Sequence, residues 1–370
     1  MDAVDVDTFS SGLTYGTDGD GVNDRAEGNI AIGMSLALGL ELDGARVSGN
    51  RFNVFPDGKT FLDITEYALA QNLESMEVFE NGRSRQNTLI GTDGNGVSDA
   101  DERNVMGPVK YGHLFENYGG NPGANFVIAG NFCSVGVDGA TVYPFEPVGA
   151  PDFFDMDGAG SVRIGSNGDG VSDDLEANFI QSTAGARFCD TGLDVAIVAR
   201  GNVMRGNGFL AFPFRNLDNG RDYAKYYTNA LAGPLDTETS ALPTLGDVAD
   251  GFLTGTVPAP NLDNYPFSVV DLYLRDLSAA ADQGVIPSTR IGTFVEGSTQ
   301  DSAPAPGEFR FPVRHLNIPA GSEVIAVVTY SKVPNSFEAS SALTGPASAS
   351  LPVSEVQPEA VVSPTLSLTR

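Results

Sequence analysis

Acidic side chains recur at fixed spacing in three short stretches of this 370-residue chain. The stretches are GTDGDGVNDRAEGN from Gly16, GTDGNGVSDADERN from Gly91 and GSNGDGVSDDLEAN from Gly165, so they begin 75 and 74 residues apart. Oxygen-bearing side chains at alternate positions, with glycines that let the backbone curl, are what a hard cation such as Ca²⁺ needs. The pattern predicts calcium sites with the ligands Asp18, Asp20, Asp24 and Glu27 in the first loop, Asp93, Asn95, Asp99 and Glu102 in the second, and Asn167, Asp169, Asp173 and Glu176 in the third.

The three loops differ as candidate metal sites. The second and third loops each carry an asparagine where the first has an aspartate, so we expect cation binding to be strongest in the first. The alternative without a metal is a turn followed by one capped helical turn. In SDADE and SDDLE, a serine precedes acidic residues, which would satisfy free N–H groups and suit the helix dipole.

Short strand signals surround each acidic loop and must position it. LTYG, TLIG and VRIG come directly before the three loops, and two further apolar segments follow in each block. Three strands per 75 residues predict about nine turns of about 25 residues between residues 10 and 230, a length that suits a solenoid. Stacked turns bury side chains that one turn alone cannot, and each strand pairs with the strands above and below it. The sequence therefore predicts a right-handed parallel β-helix.

Asparagines recur in one setting within these blocks. An asparagine at a corner tolerates the left-handed conformation and can bond its amide to the asparagine of the next turn, which would form a buried ladder. The alternative is that GN is only a common turn dipeptide. Apolar neighbours such as Phe52 and Cys133 are expected to point inward. The ladder positions are Asn29, Asn50, Asn104, Asn131, Asn178 and Asn202.

The sequence texture divides the chain into four segments. Residues 1–232 are predicted to form the β-helix with its three repeats, and residues 233–260 a linker. Alternating strands over 261–350 predict an Ig-like β-sandwich, and 351–370 a tail or a linker to a following module. The predicted fold class is thus all-β. One inserted stretch, residues 60–82, has enough helical periodicity to predict a short helix.

Two repeat stretches carry a resemblance to a known group. NTLIGTDGNGVSDADERNVMG and NFVIAGNFCSVGVDGATVYPF resemble the repeats of large secreted bacterial surface proteins of the pectate-lyase-like β-helix type. The second part of the chain resembles the β-sandwich modules that often follow such helices. The resemblance implies an extracellular or cell-surface location, with partners among carbohydrates, other surface or matrix proteins, or copies of the chain itself. It is weak for activity, because the group includes adhesins, structural proteins and polysaccharide-active enzymes.

The acidic loops also resemble the calcium loops of thrombospondin-type-3 and dockerin modules. They depart from a full EF-hand, because no glycine stands at the sixth position and no glutamate at the twelfth. This departure leaves open which of the three loops holds a metal.

Composition excludes some partners. With 48 acidic and 21 basic residues the net charge is -27, which argues against nucleic acid because phosphate binding requires cations on the protein. No run of 18 apolar residues exists, so no membrane span is predicted. The first residues lack a signal-peptide pattern, which suggests a removed signal or an excised fragment. Cys133 and Cys189 could pair or stay free, and two buried thiols are the favoured interpretation.

Catalysis is the second functional hypothesis, as a polysaccharide lyase or glycosidase on a β-helix. A lyase of this type needs a basic residue near calcium, and Arg200 and Arg205 have no acidic ligands close in sequence. A glycosidase needs paired carboxylates. Asp173 and Asp174 are adjacent, so on a strand they would point to opposite faces.

The histidines add little to the enzyme hypothesis. His113 and His315 are the only two, and they lie in different predicted domains. The sequence therefore favours an extracellular structural or adhesive module, with a polysaccharide-active enzyme as the alternative.

Overall fold

The structure is a computed structural model of the chain. It describes residues 5–6, 12–33, 39–40, 44–63, 76–79, 87–107, 115–118, 121–143, 152–156, 159–181, 187–191, 196–205, 214–216, 242–258, 265–277, 287–333, 337 and 342–354. One helical turn, α1 (Asp24–Glu27), lies among the strands of the first part. Those strands are β1 (Asp5–Val6), β2 (Thr14–Gly16), β3 (Ile30–Ala31), β4 (Gly39–Leu40), β5 (Arg46–Ser48), β6 (Arg51–Phe52), β7 (Met76–Phe79), β8 (Thr88–Gly91), β9 (Val105–Met106), β10 (Phe115–Tyr118), β11 (Asn121–Ala129), β12 (Phe132–Cys133), β13 (Asp152–Met156), β14 (Ala159–Gly165), β15 (Phe179–Gln181), β16 (Arg187–Thr191), β17 (Ala196–Arg200), β18 (Val203–Arg205) and β19 (Phe214–Asn216).

These strands join three parallel sheets in strict rotation. The first sheet has the order β1-β4-β7-β10-β13-β16-β19, the second β2-β5-β8-β11-β14-β17, and the third β3-β6-β9-β12-β15-β18. We call one passage through the three sheets a circuit, so circuit 1 is β1 to β3 and circuit 6 is β16 to β18. Parallel pairing in every sheet confirms the predicted all-β class for this part of the chain.

The predicted turn length is wrong. Val47 pairs with Ile90 and Ile90 with Ile128, so one circuit takes about 40 residues and each repeat makes two circuits. Short strands of the first sheet such as β10 follow no glycine–asparagine pair, so the corner signal does not reveal them. Within the stretch 60–82 predicted to hold a helix, Met76–Phe79 is the strand β7, and residues 64–75 lie outside the described residues.

Inward side chains stack in register from circuit to circuit. In the third sheet the whole inward column is buried, as expected for Phe52 and Cys133. The Cys133 thiol is free, and burial raises its pKa. Such stacks remove apolar area from water in every circuit, at about 25 cal/mol per Å². The buried columns are Val47, Ile90, Ile128 and Ile164 in the second sheet, and Ala31, Phe52, Met106, Cys133, Ile180 and Met204 in the third.

The asparagine ladder is confirmed. Each of the six residues lies at the corner between the second and third sheets, and all but the exposed Asn29 are buried. Five successive bonds run from the side-chain Nδ2 of one asparagine to the Oδ1 of the next, at 2.8–3.1 Å. Backbone N–H groups add to four of these contacts. The ladder is continuous because every acceptor after Asn29 has a donor in the preceding circuit.

The ladder corners alternate between two forms. Even circuits turn tightly through a glycine with positive φ, for example Gly130 at 73°. Odd circuits carry the acidic loops instead, and each loop starts at a glycine such as Gly91 (φ 103°). A side chain at Gly91 would collide with the backbone oxygen of Ala129 in the next circuit. Glycine is therefore required there both by backbone conformation and by close approach.

Hairpins on even circuits cover the outer face of the third sheet. In one, Val54 pairs with Phe61, and in the other Val135 pairs with Val142. Val54 and Val135 pack with outward residues of the third sheet in a buried apolar cluster. The hairpin carboxylate of Asp57 accepts bonds from the Thr60 N–H and hydroxyl, and these bonds lower its pKa to about 2.

The second part of the chain is antiparallel. Its strands are β20 (Thr244–Ala249), β21 (Phe252–Thr256), β22 (Phe267–Arg275), β23 (Pro287–Val295), β24 (Glu308–Pro312), β25 (Glu323–Ser331), β26 (Ala342–Ala347) and β27 (Leu351–Pro352), with a single 3-10 turn at Arg314–Leu316. One sheet has the order β20-β21-β24, and the other has β23-β22-β25-β26 with β27 also on β25. Phe309 and Phe311 of the first sheet share one buried cluster with Val270, Leu272 and Tyr330 of the second.

Two predicted boundaries need correction. The stretch 233–260 is not a linker throughout, because β20 and β21 lie within it and pair with β24. Turn-rich composition around these short strands hid their alternation. The predicted tail contributes β27 and the buried Val353 to the antiparallel part, whereas residues 355–370 lie outside the described residues.

The two parts meet at circuit 6. Arg200 of β17 forms a two-bond ion pair with Asp271 of β22, and the Gly201 N–H donates to the hydroxyl of Tyr273 at 2.9 Å. The Arg200 guanidinium also lies 3.6 Å from the ring centre of Phe337. The antiparallel part thus packs on circuit 6 through buried polar contacts.

Candidate metal centre in the acidic loops

The three acidic loops share one backbone conformation. Each connects the second sheet to the third, in circuits 1, 3 and 5. In the first loop, left-handed φ values occur at Gly16, Gly19, Gly21 and Asn23. The corresponding positions of the other loops are also left-handed, with serine in place of the asparagine. They are Gly91, Gly94, Gly96 and Ser98 in the second loop and Gly165, Gly168, Gly170 and Ser172 in the third.

The third predicted ligand of each loop accepts hydrogen bonds from a hydroxyl group and an N–H group of its own loop. The Asp24 carboxylate accepts the Thr17 hydroxyl at 2.5 Å and the Gly21 N–H at 2.8 Å. The same bonds recur at Asp99 and Asp173. The hydroxyl residues that make them were missed, although a threonine or serine follows the first glycine of every loop. They are Thr17, Thr92 and Ser166, and all three are fully buried.

The first two predicted ligands shape the backbone. The Asp18 side chain accepts the Asp20 N–H at 3.1 Å, and the Asp20 side chain accepts the Val22 N–H at 2.7 Å. The equivalent pairs, Asp93 with Asn95 and Asn167 with Asp169, make the same turns. Asparagine serves as well as aspartate in this role, because only a side-chain oxygen is needed.

The predicted glutamate ligands differ in burial. Each accepts the N–H of the first acidic or amide residue of its own loop, at 3.3 Å for Glu27, 3.0 Å for Glu102 and 2.9 Å for Glu176. Glu102 and Glu176 are fully buried, whereas Glu27 is exposed.

Arginines from the second sheet neutralise the second and third loops. Arg46, one circuit earlier, donates to Asp93 at 2.9 Å and to Glu102 at 2.5 Å. Arg163, on β14, donates to Glu176 at 2.9 Å. These partners were not anticipated, because Arg46 lies 47 and 56 residues from its two acids. Among the described residues, no ion pair reaches the carboxylates of the first loop.

The loop carboxyls are unequal in acidity. A bond from the Ser98 side chain, followed by that from Thr17, lowers the pKa of Asp24. Burial raises the pKa of Glu102, although the bond from Thr92 and the charge of Arg46 oppose it. Burial raises the pKa of Glu176 to about 7 against the charge of Arg163. The second and third loops therefore hold a carboxyl whose charged form is disfavoured by desolvation.

Two of the loops gather acidic groups closely enough for one ion. Asp18, Asp20 and Asp24 offer oxygens within 4.8 Å of one another, and Glu27 is not in that group. In the second loop the group is Asp93, Asp99 and Glu102. The three acidic ligands predicted for the third loop, Asp169, Asp173 and Glu176, are all described and form no such group.

The first loop fits a hard cation best. Its carboxylates lie together and form no ion pair with a described arginine, whereas Arg46 already pairs with Asp93 and Glu102 in the second loop. The alternative of a capped helical turn is met only in part. α1 is a single turn, and its N-cap Asn23 makes no side-chain capping bond.

The residues of the enzyme hypothesis do not assemble. Arg200 is 1% exposed and paired with Asp271, so its charge is not offered to a substrate. Arg205 is exposed and donates to the Gly139 backbone oxygen. His315 is exposed in the antiparallel part, and His113 lies outside the described residues.

Comparison with models of protein families, with curated proteins and with solved structures finds no match to this chain. No helix among the described residues is long and apolar enough to cross a membrane.

Proposed function

We propose that the first part of the chain is a right-handed parallel β-helix that serves as an extracellular structural or adhesive module. The antiparallel part is an Ig-like β-sandwich that closes one end of it. The observation that carries this proposal is the continuous asparagine ladder between two filled apolar columns. Such an interior suits a stiff rod, because each circuit satisfies the polar groups of the next.

The outer surface supports a role in contact rather than catalysis. Glu102 and Glu176 of the second and third loops are fully buried and paired with Arg46 and Arg163, so a substrate does not reach them. The partners we propose are carbohydrates, other surface or matrix proteins, or copies of the chain. The net charge of -27 favours partners that are basic or that bind through cations.

Calcium is part of the proposal for the first loop only. The ligands are the carboxylates of Asp18, Asp20 and Asp24, and Glu27 lies outside this group. Three carboxylates within 4.8 Å repel one another unless a cation or water screens them. Bound Ca²⁺ would neutralise this repulsion and tie the loop to the corner of circuit 1.

An intact-cell experiment tests the proposed location. Whole cells of the source organism are treated with an impermeant protease, and the chain is followed by antibody. The proposal expects digestion without cell lysis, at the rate of a known surface protein. Protection until the cells are lysed, with a cytoplasmic marker protected in parallel, would contradict the extracellular assignment.

A further inference from the structure

The first acidic loop exposes a face that is covered in the other two loops. We call this the N-terminal face, the side of a loop that is turned toward lower-numbered circuits. In the second loop this face touches the first, because Val97 lies against Gly21 and Glu102 lies against Gly19. In the third loop, Val171 and Glu176 lie in the same way against the glycines of the second.

Residues on this face of the first loop are more exposed than the equivalent residues of the other two loops. Val22 is 60% exposed, against 45% for Val97 and 43% for Val171. Ile30, directly after the first loop, is 42% exposed, whereas its counterpart Val105 is 2% exposed. Glu27 and Asn29 are exposed, and the residues equivalent to them are fully buried in both other loops.

The preceding circuit binds each covered face by donating hydrogen bonds to its acceptor atoms. In the second loop, Glu102 O accepts the Gly49 N–H at 2.6 Å, and Asn104 Oδ1 accepts both the N–H and the Nδ2 of Asn50. Arg46 of the same circuit donates to the Glu102 carboxylate. The donors thus come from one arginine and one glycine–asparagine corner.

The first loop presents the same acceptors without donors. Asn29 donates its own N–H and Nδ2 to Asn50, so its Oδ1 remains available as an acceptor. No described residue donates to Glu27 O or to Asn29 Oδ1. This face therefore offers acceptors and negative charge, beside the apolar Val22 and Ile30.

We propose that the N-terminal face of the first loop is a docking surface for a further polypeptide circuit that carries an arginine and a glycine–asparagine corner. The chemistry required is that of residues 44–54, which cover the second loop in this chain. The glycine–asparagine corner of this interface is present twice, at Asn50 and Asn131, so the occupant must enter parallel and in the same register. The arginine is inferred from the second loop alone, because Glu176 of the third loop pairs with Arg163 of its own circuit. The proposal rests on strand pairing and hydrogen bonds and does not depend on calcium.

A second copy of the chain does not meet this requirement. Among the described residues, the corner at the opposite end is already occupied, because Arg200 and Phe337 lie against Gly168 of the third loop. Its own first loop offers only acceptors, and two such faces would set Glu27 and the neighbouring aspartates against their copies. The occupant is thus a circuit whose donor side is free.

Tandem duplication of residues 16–90 within the full chain tests the surface. In the duplicated chain, residues 44–54 of the N-terminal copy lie over the first loop of the C-terminal copy. That loop is marked by Val22→Ile, so that its peptides differ in mass from those of the unmarked loop. Hydrogen exchange of the marked loop should slow at least about tenfold relative to the first loop of the unmodified chain. Exchange at the unmodified rate, with far-UV circular dichroism reporting added β structure, would overturn the proposal.

A matched variant separates docking from general stabilisation. Arg46→Gln and Asn50→Ala in the N-terminal copy alone remove the side-chain donors and leave the C-terminal copy, with its marked loop, intact. Protection of the marked loop should then fall at least about threefold, while exchange in β11 and β14 stays unchanged. Undiminished protection would mean that the predicted donors do not recognise this face.

Discussion

Arg200 and Asp271 join the two parts of the chain through two parallel hydrogen bonds, Nε to Oδ2 at 2.6 Å and Nη2 to Oδ1 at 2.8 Å. Both side chains are at most 1% exposed. Burial alone would raise the pKa of Asp271, but the charge of Arg200 prevails and lowers it. A buried bidentate pair fixes orientation, so the antiparallel part and circuit 6 are expected to unfold together.

Removing one partner of this pair should be costly. Arg200→Ala leaves the Asp271 carboxylate buried without its main counter-charge, and we expect a loss of about 3–5 kcal/mol in the free energy of unfolding. Urea unfolding followed by tyrosine fluorescence measures it. Arg275→Ala is the control, because its ion pair with Glu323 is more exposed and should be worth at most about 1 kcal/mol. Equal losses in the two variants would contradict the role given to the junction.

The ladder predicts a gradient of cost along its length. Asn131→Ala removes the amide that donates to Asn178 and that accepts from Asn104, and both of these partners are buried. The substitution should lower the free energy of unfolding by about 1–3 kcal/mol. Asn29→Ala leaves only one interior contact unpaired at an exposed end and should cost less. Thermal unfolding of the two variants under one set of conditions makes the comparison. A smaller effect at Asn131 than at Asn29 would count against a ladder whose interior rungs matter most.

Glu176 predicts a pH dependence. Burial raises its pKa to about 7 in the folded chain from an ordinary value of 4.5, so the folded state holds its proton more tightly than the unfolded state. The corresponding stability is fully present below pH 4.5 and is lost as the pH rises through about 7, by up to about 3 kcal/mol. Glu176→Gln should remove this slope. Urea unfolding at pH 4.5 to 8 measures the difference between the two chains, and identical slopes would disprove the assignment.

Calcium should stabilise the folded chain through the first loop. If only the folded state binds the ion, the melting temperature rises with the logarithm of Ca²⁺ concentration and falls with chelator. Replacing Asp18 and Asp20 by Ala should abolish most of this response. Asp57→Ala, in a hairpin away from the acidic loops, should lower stability without changing the calcium response. A melting curve indifferent to calcium and chelator would leave the acids as turn formers.

The sequence predicts the repeats, the parallel strands and the ladder because each has a local signature. Asn50 and Asn131 stand after glycines in matching frames, and that is enough to place them at corners. The number of circuits could not be read in the same way. A strand of the first sheet such as Phe115–Tyr118 follows no glycine–asparagine pair, so the signature that marks the corners does not reveal it.

The acidic loops show where local signals end. The spacing of Asp18 and Asp20 is visible in the sequence, and so is the threonine between glycine and aspartate. The approach of Arg46 to Glu102 depends on the stacking of two neighbouring circuits, which no short sequence window contains. Glu102 and Glu176 are buried and pair with arginines, whereas Glu27 of the first loop is exposed. This difference in burial separates the first loop from the other two.

We propose that this chain is a structural or adhesive module, with a polysaccharide-active enzyme as the alternative. The most direct test exposes immobilised pectin, alginate and neutral polysaccharides to the purified chain and measures bound protein and released ends in the same wells. The proposal predicts no increase in unsaturated or reducing ends over time, whether or not a polymer retains the protein. Product that accumulates linearly with time and with protein concentration would contradict it.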